Sequence, residues 1–134
     1  MKSMAEKGIF DDMLIAMNHW RGKDDPQPRQ ELAVPAAKAQ GMGVMLMKVI
    51  RPKETIQGLD PRDLVRYALS LKGPDGIIVG MDSLEVVKSN LEILRKFKPM
   101  DEERMKQLAQ QLSPFYRHEN LPWMQPGYCD GNWA

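Results

Sequence analysis

Cysteine is nearly absent: Cys129 is alone in 134 residues, which rules out an intrachain disulfide. A reducing cytoplasm is the compartment this usage fits. Long apolar runs are also lacking, and none approaches the roughly 20 residues needed to span a bilayer. The opening residues, MKSMAEK, have no apolar stretch of the signal-peptide kind. Charge of one sign is not in excess. Lys plus Arg number 19 against 18 Asp plus Glu, so no global field favours nucleic acid or an anionic membrane. His19 and His118 have no second ligand residue at a recognisable spacing, which argues against a metal site.

What is present suits one soluble globular unit. Hydrophobic residues make up 43% and charged residues 28%, enough apolar material to bury a core. Apolar runs and helical stripes alternate along the chain. Residues 13–17 (MLIAM) read as a strand ending near Asn18, His19 and Trp20. A polar loop with Pro26 and Pro28 follows, then a helix over 31–40 closed by Gly41. Pro35 must occupy the first turn of that helix or kink it. Residues 44–49 form a second strand, interrupted by Lys48. A helix over 61–71 starts at Pro61, preset for a first turn, and carries the stripe Leu64, Val65, Ala68, Leu69 and Leu71. Residues 72–76 turn into a third strand at 77–79. The next helix is expected to bury Leu84, Val87, Leu91 and Leu94, and a last one over 101–112 presents Met105, Leu108 and Leu112. Residues 1–112 therefore form the folded part, and 113–134 an irregular tail rich in Pro, Gly and aromatics.

Three strands, each followed by a helix, imply parallel β/α units with right-handed crossovers. Parallel strands want cover on both faces, and three units leave two sheet edges and one face short of it. Further chain or a partner is needed, and the isolated chain is expected to self-associate or to be only marginally stable.

The segment 75–90 is the most informative about function. An apolar strand ends at Gly80, and Asp82 and Ser83 offer oxygens to open a helix, with Glu85 three residues after Asp82. The free N–H groups and positive dipole of such a helix end attract anions, and Gly80 leaves room for a ligand at the backbone. An ordinary strand–helix corner is the plain alternative. Lys48, at the carboxyl end of its strand, either contacts a ligand there or snorkels its ammonium to the rim. Arg51 and Lys53 read as solvated loop charges, and so do the Asp11–Asp12 and Asp24–Asp25 pairs. The methionines read as core filler, and Cys129 as inert.

Three stretches together resemble a family: GMGVMLMK over 41–48, LVRYALSL over 64–71, and GIIVGMDSLE over 76–85 with Asn90. They look like the carboxy-terminal part of an aldo/keto reductase, over about residues 9–99. The resemblance implies strands six to eight of a (β/α)8 TIM barrel, with NADP or NAD as cofactor and a carbonyl compound as substrate. It further implies that Gly80, Met81 and Ser83 lie beside the adenosine phosphate and that Asn90 contacts adenine. Lys48 joins these as a cofactor-side residue, and Met17 and Asn18 fall near the nicotinamide-facing strand end. Val86 stands where many NADPH-selective members place Arg, which departs from a 2′-phosphate preference. The family's catalytic Asp, Tyr, Lys and His precede the represented part, so no catalytic residue maps here. Tyr67 and Lys48 do not fill those roles. Two classes of function follow: part of an NAD(P)H-dependent oxidoreductase, or a noncatalytic nucleotide-binding or assembly fragment.

Overall fold

The computed structural model describes residues 1–16, 29–50 and 58–112. The expectations for Met17, Asn18, His19, Trp20, Asp24, Asp25, Pro26, Pro28, Arg51, Lys53, His118, Cys129 and the segment 113–134 lie outside the described residues. In chain order the elements are α1 (Lys2–Ala5), β1 (Asp12–Ala16), α2 (Arg29–Ala39), β2 (Gly43–Met47), α3 (Pro61–Ser70), β3 (Gly76–Ile77), α4 (Leu84–Arg95) and α5 (Glu102–Leu112).

The three strands form one parallel sheet in the order β1-β2-β3. Met13 pairs with Val44, Ile15 with Leu46, and Leu46 with Ile77. β3 is shorter than the apolar run that encodes it. Its pairing nevertheless extends at both ends, through Asp75 N–H to the Val44 carbonyl (2.8 Å) and Ile78 N–H to the Leu46 carbonyl (2.7 Å).

Strand alternation splits the sheet into two unlike faces. Met13, Ile15, Val44 and Leu46 point one way and are buried in the main core, with Ile77 and Val79 packed against it. Ala33, Val34 and Ala37 of α2 fill the same core, as do Val65 and Ala68 of α3 and Ile93 of α4. Both crossover helices therefore cover one face. Successive right-handed crossovers that advance in one direction always place their helices on the same side. The opposite face carries Leu14, Met45, Met47 and Ile78; Leu14 is 44% exposed and Ile78 50%. A Cβ at Gly76 would stand 2.9 Å from Met45 Cε, the far end of a flexible side chain that can shift aside.

The helices follow local rules with three departures. α3 begins at Pro61, in the first turn as expected, and Asp60 caps it by accepting from Arg62 N–H (2.9 Å). Gly41 ends the α2 region at φ +72, a conformation that costs glycine nothing. The first departure is Pro35. α2 starts two residues earlier than the sequence suggested, so Pro35 falls beyond the first turn, on an exposed side. The second is α4, where three leucines of the expected core stripe are turned outward and Val87 is half-buried. Leu84, Leu91 and Leu94 are 62%, 44% and 53% exposed, while Asn90 and Ile93 are buried. Two stripes compete on this helix, and the side turned inward is the one bearing Asn90, which bonds the Gly80 carbonyl, and Ile93, which joins the main core. The third is α1, a single turn absent from the sequence reading, whose Ala5 is buried in the main core.

A second, smaller core joins α3 to α5. Leu64 and Tyr67 pack with Met100, Leu108 and Leu112. Polar bonds tie the same pair: Arg104 donates to Asp63 at 2.7 Å, and Met100 N–H donates to Ser70 Oγ at 2.9 Å.

Candidate functional site

The corner between β3 and α4 is built by three residues. Ser83 has extended backbone and caps α4, its Oγ accepting from Val86 N–H at 3.2 Å. Ser83, not Asp82, is therefore the cap. The third residue after it is Val86, so Glu85 cannot complete the reciprocal capping box that counting from Asp82 suggested. Glu85 lies in the first turn, where its charge complements the helix dipole and competes with any incoming anion.

Gly80 supplies the opening. It is exposed, and a Cβ built on it meets nothing within 4 Å. Close approach of a ligand is thus sterically free, and the glycine is required by neither packing nor a left-handed backbone. Met81 is 62% exposed beside it. Asn90 closes the corner from below: it is 6% exposed, and its Nδ2 donates to the Gly80 carbonyl at 3.2 Å. The bond ties the second turn of α4 to the chain leaving β3. Asn90 and Gly80 are therefore brought together, with Ser83 at the start of the same helix, and Asn90 spends an amide proton on the backbone.

Lys48 follows the carboxyl end of β2, the central strand, and the corner follows the carboxyl end of its parallel neighbour β3. Both thus lie at the end of the sheet where α/β folds hold their ligands. Lys48 is exposed and has φ +57, in the left-handed region that a non-glycine residue seldom adopts. β2 ends at Met47, just before this turn and two residues short of the expected end, while Val49 remains buried in the main core. Nothing in the sequence pattern marks the turn, since lysine carries no preference for this conformation.

At the opposite end of the strands, polar groups make a structural clasp. Asp75 accepts from Lys38 Nζ (2.8 Å to both oxygens) and, through Oδ2, from Val44 N–H (2.8 Å). The Lys38 bond first, and then the Val44 N–H, hold the Asp75 carboxyl below the ordinary carboxylate value. Sequence reading placed Asp75 only in a turn. The lysine that fixes it lies 37 residues away, a separation that periodicity does not reveal.

No group of three or more His, Cys, Asp or Glu side chains able to hold a metal ion occurs among the described residues. No helix among them is long and apolar enough to cross a membrane. No family model matches the chain, and neither a curated protein nor a solved structure matches it.

Proposed function

We propose that this chain is the cofactor-side part of an aldo/keto reductase-like barrel, which in complete form would reduce carbonyl compounds with NADPH or NADH in the cytoplasm. The observation that supports this reading best is the one-sided sheet. Three parallel strands in sequential order, with both crossover helices on one face, are what an arc of such a barrel would require. In such an arc the open face, with Leu14, Met45, Met47 and Ile78, would look into the barrel. Gly80, Met81, Ser83, Asn90 and Lys48 would stand at the ligand end and receive the dinucleotide phosphate and adenosine.

The competing reading is a nucleotide-binding or assembly fragment without chemistry. It is favoured by Tyr67, the tyrosine nearest the family-like stretches, which is 2% exposed in the second core between α3 and α5. A ring so enclosed does not reach a bound carbonyl, so the proton donor must come from other sequence.

Titration of NADPH and NADH against the purified chain, read by cofactor fluorescence, tests the site. Gly80→Val should block close approach while circular dichroism stays unchanged, because the added side chain has open space. Lys48→Glu should weaken binding more, by placing a negative charge near the pyrophosphate. A folded wild type that binds neither cofactor at millimolar concentration would leave the corner as plain structure. Aldehyde and ketone reduction should be absent from the chain alone; robust turnover lost in Tyr67→Phe would overturn the assignment of Tyr67 to the core.

A further inference from the structure

We draw no further inference here: the strongest candidate, the open apolar face of the three-stranded sheet formed by Leu14, Met45, Met47 and Ile78, carries nothing because nothing in the structure shows what covers it.

Discussion

The two faces of the sheet are made of similar residues and live in different surroundings. On one, Val44 and Leu46 are 0% exposed under α2 and α3; on the other, Leu14 and Ile78 keep about half their surface in water. The strands thus hold two apolar faces, of which the helices cover one. Hydrophobic content alone says that a strand belongs inside. Which face finds cover depends on the handedness and direction of the connections.

The sharpest way to break that contrast is a matched pair of truncations. Leu46→Ala should cost about 2–5 kcal/mol, as for other fully buried leucines that leave a cavity. Leu14→Ala, one strand away on the open face, should stay within about 0.5 kcal/mol. Chemical denaturation of both variants measures the difference. Equal losses would mean that the open face is buried in the protein as it exists in solution.

Two glycines sharpen the same contrast between packed and open ground. Gly73 has φ +104, and a Cβ there would lie 2.9 Å from Val34 Cγ1 of α2, on the covered side. Gly73→Ala should therefore destabilise by about 1–3 kcal/mol, from backbone strain and the clash together. Gly80→Ala, with open space around it, should leave the melting temperature nearly unchanged. A large loss at Gly80 would show that the corner is closed rather than accessible.

Asn90 tests whether the corner depends on the bond beneath it. Asn90→Ala should cost about 1 kcal/mol, toward the low end for a buried polar contact, because the freed Gly80 carbonyl lies on an exposed residue and can take water. Thermal melts give the stability, and hydrogen exchange at the first amides of α4 reports whether the corner loosens. Unchanged exchange would make the bond incidental to the corner's shape.

The smallest effect belongs to the clasp at the other end of the sheet. Asp75 has a lowered folded pKa, so its contribution is present above the unfolded carboxylate value and is lost as pH falls through the folded one. Asp75→Asn should flatten part of the acid limb of a stability–pH profile and leave the neutral region changed only slightly, since the pair is exposed. Asp60 and Glu92 are lowered in the same direction by Arg62 and Lys96, so an acid limb should persist in the variant. An unaltered limb would remove Asp75 from the account.

Much of the architecture was legible in the chain because its signals are local. The apolar runs at 13–16 and 44–47 read as strands and lie in strands. Pro61 marks a helix start, and Gly41 marks a helix end. Ser83 was legible as part of a helix opening, though the choice between Asp82 and Ser83 required the actual cap geometry. The inner stripe of α4 was not legible. Leu84, Leu91 and Leu94 look more core-like than a stripe containing Asn90, and local hydrophobicity ranks them first. The sheet decides otherwise, because Asn90 finds the Gly80 carbonyl and Ile93 reaches the main core.

By itself the sequence determined the type of every element but α1, the parallel α/β class and the shortage of cover for a sheet of three units. Each follows from periodicity, capping chemistry and the one hand that crossovers adopt. Only the tertiary structure decided which sheet face stays open, which side of α4 turns inward and where the bonds of Asp75, Asn90 and Arg104 go. Those choices depend on contacts between residues far apart in the chain, such as Lys38 with Asp75 and Asp63 with Arg104. No local pattern encodes them, because their energy exists only once the elements have met.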